Sequence, residues 1–438
     1  MELSMLMKDV GVVGAGGAGF PSYAKLSEGA DTLLVNGSEC EPLLYTDYYI
    51  LKNELPMVIA GINAVIERTA IKRAVIAIKE HTAKRLAFLD GDKFADNIEV
   101  RVIPNVYPIG DEVSLVYEAL NRHIQPGNLP ISVGVIVYNV ETMYNLGVAQ
   151  KFDQPVTMKW LTVGGNVKRP VVLRVPIGTQ VSDLFKRLGV TVAEDNTVLD
   201  GGPSMGKPIN VNTAVVTKTT KALLILPDYT RAIESKLIND EMAVARAETA
   251  CCQCTRCTDM CPRALMGYPL EPHKMVRTAI QAAVTMPSMV VSATLCCGCG
   301  ICENLACSQG ISPKAVINNY KLLLQKNKMR YSSQKTVEVA DEREYRMIPS
   351  DKWAQTLGVA KFDTVAEYIG EISDFTRVRQ PLNRQIGAPA VAIVSDGAIV
   401  KERERIADPA PGLSVAHHAS ISGRVTLGIN EIIIDKVN

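Results

Sequence analysis

The chain has 438 residues and a mass of 47.6 kDa, room for two to four domains at roughly 100–200 residues each. Hydrophobic residues are 47% and charged residues 21%, and 47 Lys+Arg against 46 Asp+Glu leave a net charge of +1, without the basic excess that nucleic-acid binding needs. Aromatics at 5% offer few stacking platforms for single strands. No apolar run reaches the 18 or so residues of a membrane span; Ala279–Ala293 comes closest, interrupted by Gln281, Thr285, Pro287 and Ser288. The opening MELSMLMKDVGVV lacks the basic-then-apolar order of a signal peptide.

Residues 12–20 read V-V-G-A-G-G-A-G-F, in which Gly14, Gly16 and Gly19 fit G-x-G-x-x-G. A dinucleotide fingerprint runs straight into a helix. Here Phe20-Pro21 follows the third glycine, so any helix begins at or after Pro21. The run reads as a loop whose backbone amides approach a phosphate or a flat ring; a plain turn of small residues is the alternative. The apolar run Thr32–Val35 predicts a strand that ends in Asn36-Gly37-Ser38-Glu39-Cys40-Glu41-Pro42. Polar groups just past a strand's carboxyl end are where open α/β sheets bind ligands. A helix over 49–67 and strands over 74–78 and 100–103 come next. Tyr107-Pro108-Ile109-Gly110-Asp111-Glu112 opens a helix over 113–121, and a buried strand over 131–137 leads into Asn139-Val140-Glu141-Thr142. The alternation predicts an α/β layer through about residue 150.

Residues 159–226 alternate with period two, turn at Asn166–Pro170 and carry one helical stretch, Val181–Leu188. They predict a small β-grasp module. Then the cysteines crowd: 10 of 11 lie between Cys251 and Cys307. A disulfide scaffold would spread them through a small secreted chain, whereas crowding in a large chain reads as metal ligation. Cys251-x2-Cys254-x2-Cys257-x3-Cys261-Pro262 is the bacterial ferredoxin run for a [4Fe–4S] cluster. Cys296-x2-Cys299-x2-Cys302-x4-Cys307 repeats it with a longer last spacing and Ser308 in place of proline. Cross-ligation assigns Cys251, Cys254, Cys257 and Cys307 to one cluster, and Cys261, Cys296, Cys299 and Cys302 to the other. The competing reading is structural zinc, which prefers paired x2 cysteines, four per ion. Cys252 and Cys297 fall outside the register and read as packing residues, with a spare thiol or an alternative ligand as the other readings. The segment between the motifs is expected to be helical, and 331–379 to be a connector. Short alternating strands with regular glycine turns over 380–438 predict a small β-sandwich.

The segments GAGGAGFPSYAKL, VNGSECEP, YPIGDE and YNVETMYNL, in this order, resemble the flavin-binding subunit of respiratory complex I and, more closely, the RnfC-like family. The resemblance implies a multidomain α/β chain. A Rossmann-like FMN/NADH domain spans 1–155, a soluble-ligand-binding β-grasp module 156–230, a helical ferredoxin-like two-cluster domain 231–330, and a barrel-sandwich hybrid 380–438. It implies that Gly14, Gly16, Gly17 and Lys25 line the flavin and its phosphate. Asn36, Ser38, Glu39 and Cys40 would flank the ring system, and Gly110, Asp111, Glu112 and Asn139 would close the pocket. Phe20 would stack on the adenine of NADH, with Glu41 near the hydride path. The chain departs from complex I at Ala15, where arginine is common, and at Ser38, where aspartate stands. The sandwich resembles lipoyl- and biotinyl-type domains, with His417-His418 where those carry a lysine.

The placement of that sandwich after the cluster segment resembles the PduS family, the cobalamin reductases of propanediol-utilisation microcompartments. The implied activity is NADH-dependent reduction of cob(III)alamin to cob(II)alamin, and onward to cob(I)alamin, for coenzyme B12 recycling. The implied location is cytoplasmic, inside or at the shell of a microcompartment, with a shell protein as partner. The base-off signature D-x-H-x-x-G is absent around His81, His123, His273, His417 and His418, so the corrinoid contact is expected to be transient or made through a partner adenosyltransferase. The alternatives are an RnfC-like NADH dehydrogenase subunit that passes electrons to ferredoxin or another redox partner, and a non-enzymatic cluster-bearing scaffold.

Overall fold

The computed structural model describes residues 2–280, 287–333 and 335–437; the apolar stretch 279–293 lies partly outside the described residues. The first sheet has the order β3-β4-β2-β1-β6. Its strands are β1 (Thr32–Gly37), β2 (Arg73–Lys79), β3 (Lys93–Ala95), β4 (Ile98–Ile103) and, after a two-residue strand β5 (Val106–Tyr107) outside the sheet, β6 (Val135–Asn139). β4, β2, β1 and β6 run parallel. Leu33–Val35, Ala74–Ile78 and Val135–Tyr138 are buried throughout, the near-continuous apolar runs of strands covered on both faces. Leu33, Val35, Ile76 and Ile78 pack with helices Leu55–Arg68 and Val140–Phe152. Leu34, Val75, Ala77 and Val137 pack with helix Glu112–Leu120 on the other side.

Two predicted elements differ. The helix expected over 49–67 is two helices, Thr46–Asn53 and Leu55–Arg68, bent by 90°. Pro56 lies in the first turn of the second; it lacks an N–H and its ring would clash with a carbonyl one turn back. The strand expected from Ile131 starts at Val135, because Pro130–Val133 forms a 3-10 turn closed by Gly134 at φ +75°. Among the described residues no single helix is long and apolar enough to cross a membrane.

The second sheet contains β7 (Met158–Gly165), β8 (Val171–Pro176), β9 (Asn196–Asp200), β10 (Lys207–Ile209) and β11 (Ala222–Pro227), with helix Val181–Leu188 packed on it. The segment expected to be a connector is structural. It supplies β12 (Ile348–Pro349), antiparallel to β5, then the helix Ser350–Thr356, and β13 (Glu367–Glu371), parallel to β8. The second sheet thereby takes the order β10-β9-β11-β7-β8-β13.

Helices Asp240–Ala250, Pro272–Ile280 and Pro313–Lys326 pack together through Ala243, Ala247, Val276 and Val316, and the cysteine loops lie against them. Asn239 and Ser312 cap two of these helices by accepting from Met242 N and Ala315 N. The C-terminal module uses β14 (Arg377–Pro381), β15 (Val391–Ala392), β16 (Ile399–Val400), β17 (Arg405–Asp408), β18 (His417–His418), β19 (Gly423–Gly428) and β20 (Glu431–Asp435). They form sheets of order β14-β20-β19-β16 and β15-β17-β18 around Val378, Ile406, Val425, Ile432 and Ile434. His417-His418 is no exposed tip. His417 is buried, and beside it Lys218 Nζ donates to the carbonyls of Gly11 (2.9 Å) and Ala416 (3.1 Å). Three parts of the chain meet there.

Candidate functional site

β1 has β2 on one side and β6 on the other, with Asn36 in register with Asn139. The chain order reverses at β1, and the crevice past the carboxyl ends of such strands is the expected binding place in an open α/β sheet. A cavity of about 390 Å3 lies there, within the size range of ligand pockets. Gly14, Gly16, Phe20, Lys25, Asn36, Ser38, Glu39, Cys40, Glu41, Gly110, Asp111, Glu112 and Asn139 line it. Gly17, expected with them, is not in its wall: it is exposed at φ +102°. The glycine loop closes on itself through Gly14 N to Phe20 O (2.8 Å), and a 3-10 turn, Ser22–Lys25, begins after Pro21.

Several lining side chains are committed to holding the site's shape. Asn36 donates to Gly110 O (3.0 Å) and accepts from Ser38 Oγ (2.7 Å). Lys25 pairs with Glu112 at 2.7 Å and donates to Val137 O, so its charge is already partnered. Glu39 accepts from Thr46 Oγ1 and from the amides of Asp47 and Tyr48, at the start of helix Thr46–Asn53. Burial first, then neighbouring Asp47, raises its carboxyl above the usual range. Glu41 sits in the β-grasp module's Gly201–Gly206 loop and accepts from the amides of Ser204 (2.6 Å) and Met205 (3.3 Å). Burial raises its carboxyl, and those amides oppose the rise. Burial also pushes the Cys40 thiol up to about 11. A flavin fits this wall: Asp111 Oδ2 is buried at the cavity without a hydrogen-bond partner, and glycines form one edge where a side chain would intrude.

The cysteines gather around two further cavities. Cys251, Cys252, Cys254, Cys257 and Cys307 line one; Cys261, Cys296, Cys297, Cys299 and Cys302 line the other. The grouping is the cross-ligated one. Burial, reinforced by neighbouring cysteines, pushes Cys257 and Cys261 up to about 12, and burial, then Glu303 and neighbouring cysteines, pushes Cys302 well above the usual thiol value. Such crowded, buried sulfurs ionise only beside a cation, and a coordinating metal deprotonates a thiol outright. Among the described residues no three His, Cys, Asp or Glu side chains converge as a single-ion site. Sulfurs standing around a cavity suit the faces of a cubane better than one tetrahedral ion. Cys297 and Cys299 line both the second cysteine cavity and the glycine-loop cavity.

Sequence reasoning missed several wall residues. Lys221, paired with buried Asp47, and Met205 also line the glycine-loop cavity; neither lies in a motif. The wall is anchored by Ser204, whose hydroxyl accepts from Trp353 Nε1 (2.9 Å). Trp353 stacks on Tyr107 at 4.5 Å, and Tyr107 Oη donates to Cys299 O (2.7 Å).

Residues 7–148 match the Nuo51 FMN-binding domain, 250–312 a 4Fe-4S dicluster domain, and 356–436 the RnfC barrel sandwich hybrid domain. "Cobalamin reductase PduS" of Salmonella typhimurium is 36% identical over 427 residues, 97% of this chain and 94% of the relative. An ion-translocating oxidoreductase complex subunit from Rhodobacter capsulatus is 30% identical over 277 residues, 62% of this chain and 51% of the relative. Among solved structures, an NAD+-reducing [NiFe]-hydrogenase aligns over 83% of this chain and 67% of its own at 17% identity, with a TM-score of 0.44. By identity and coverage the chain belongs to the PduS family, and an FMN-binding domain joined to a 4Fe-4S dicluster domain makes it a flavin and iron–sulfur oxidoreductase.

Proposed function

We propose that the chain oxidises NADH at FMN held in the glycine-loop cavity and sends the electrons singly through two [4Fe–4S] clusters to cobalamin. In this reading Cys261, Cys296, Cys299 and Cys302 hold the flavin-side cluster, and Cys251, Cys254, Cys257 and Cys307 the outer one. The observation that carries it is the common wall, in which Cys297 and Cys299 border both the flavin cavity and the flavin-side cysteine cavity. Bound FMN accepts a hydride and iron–sulfur cubanes carry single electrons, so together they convert two-electron into one-electron chemistry. The chain's own part is placement. Asn36, Ser38 and Gly110 fix the loops after β1 and before helix Glu112–Leu120. Glu41 ties the β-grasp loop to the cavity rim. Tyr107 and Trp353 hold the Cys299 loop against the same loop. Exposed Cys254 marks the outer cysteine cavity as the exit side.

Cobalamin as acceptor rests on the resemblance to PduS over nearly the whole chain. With it come B12 recycling during propanediol utilisation, a cytoplasmic place in or at a microcompartment shell, and a shell protein or adenosyltransferase as partner. The second reading, an RnfC-like subunit feeding ferredoxin, is favoured by the RnfC barrel sandwich match and by the missing base-off cobalamin signature. Anaerobic turnover separates them. NADH-driven reduction of cob(III)alamin is expected; turnover with ferredoxin but none with cobalamin would reject the first reading. Iron, sulfide and flavin counts near eight, eight and one per chain are expected from two cubanes and one FMN.

A further inference from the structure

Asp111 and Arg263 belong to different cavities and meet between them. Asp111 lines the glycine-loop cavity; Arg263 lines the cavity of Cys261, Cys296, Cys299 and Cys302. Arg263 Nη2 lies 2.6 Å from Asp111 Oδ1, and the two side chains are 14% and 12% exposed. Each keeps one buried polar atom unpaired, Asp111 Oδ2 and Arg263 Nε. The nearby charges are largely compensated within each wall: Lys25 pairs with Glu112 and Lys221 with Asp47 on the flavin side, and Lys314 with Glu303 at 3.2 Å on the cluster side, which leaves Asp111–Arg263 as the pair that spans the two cavities.

We propose that the Asp111–Arg263 ion pair is an oriented dipole that drives electrons from the flavin toward the cluster of Cys261, Cys296, Cys299 and Cys302. The inference rests on the cofactor placement proposed above. A fixed negative charge beside the flavin raises the energy of electrons held there. A fixed positive charge beside the cluster lowers it, and in a buried setting both effects exceed their size in water. The step moves one electron and makes or breaks no bond between heavy atoms. The reduced flavin, charged by the nicotinamide, is oxidised by one electron, and any proton it releases goes to solvent. The cluster core is reduced from 2+ to 1+. The rival is a purely mechanical role, in which the pair only fastens the FMN layer to the cluster segment.

The test is anaerobic potentiometry of the full chain with both cofactors, following the clusters by EPR and the flavin by its visible absorbance. Arg263→Gln is expected to shift one cluster's one-electron equilibrium tenfold toward oxidation, about 59 mV lower, with the other cluster unmoved. Arg263→Lys should hold the wild-type value. Asp111→Asn is expected to favour the reduced flavin tenfold, about 30 mV higher for its two-electron couple. Unmoved potentials in variants that keep FMN and iron would leave only the mechanical role, as would an equal shift of both clusters. If Arg263→Gln loses its cluster, the flavin potential of Asp111→Asn decides, and an unchanged value overturns the proposal. Wild-type protein lacking FMN or a second cluster signal would instead overturn the cofactor placement itself.

Discussion

Gly16 has room for hydrogen and little else, since a Cβ there would stand 2.6 Å from Asn139 Oδ1, and both residues line the glycine-loop cavity. Gly16→Val should displace Asn139 and fill the cradle, so purified protein is expected to lose its FMN absorbance while keeping iron; stoichiometric FMN in that variant would remove Gly16 from the site. Cys254 makes the complementary case. It is exposed and lines only the outer cysteine cavity. Cys254→Ala should lose one cluster's EPR signal and stop electron export, while NADH still bleaches the flavin. Persistent export would refute the assignment of ligands. At this scale the sequence was informative wherever a motif fixed spacing, as in the two cysteine triplets and the glycine loop. It was silent on partners distant in the chain. Nothing in Glu41 announces Ser204, 163 positions away, and nothing in Lys25 announces that Glu112 takes up its charge.

Helices Leu55–Arg68 and Val140–Phe152 approach backbone to backbone. A Cβ on Gly61 would lie 1.9 Å from Met143 O, and one on Gly147 the same distance from Met57 O. Gly61→Ala must push the helices apart and is expected to cost about 1–3 kcal/mol or more, the range for overpacked cores. A thermal melt measures it, and an unchanged melting temperature would contradict the close crossing. Strands were legible because β1, β2 and β6 are continuous apolar runs, and Val181–Leu188 was legible because its apolar positions recur at helical spacing. The breaks were harder. Pro56 divides a stretch whose apolar pattern continues on both sides. β12 is only two residues long and β13 is largely polar, and they pair with strands far away in the chain, so no local period reveals them.

The modules meet at junctions, and one of them is expected to be sensitive to acid. Burial, then Lys218 and Arg405, lowers His418 from the ordinary histidine value to about 3, and burial lowers His417 as well. Lys218 itself is lowered to about 7 by burial. Arg405 is balanced by Asp408 at 2.7 Å and approaches Asp9 at 3.6 Å. For the two histidines, the unfolded chain below pH 6.5 binds protons that the folded junction refuses, so the stability they leave intact above about pH 6.5 is lost as pH falls toward 3. His418→Gln should flatten the decline in melting temperature between pH 7 and 5; an equally steep decline would place the acid sensitivity elsewhere. The order of modules was readable from motif order alone. Their contacts were not, because the junction residues Gly11, Lys218 and Ala416 sit in no pattern.

The partition formed by Cys297 and Cys299 bears on biogenesis. With FMN and a cluster in the places proposed, a chamber that borrows part of its boundary from a metal-binding loop is expected to mature together with iron delivery. Cells starved of iron should therefore yield pale, poorly flavinated polypeptide, whereas damage confined to the outer cysteines should leave the yellow colour intact.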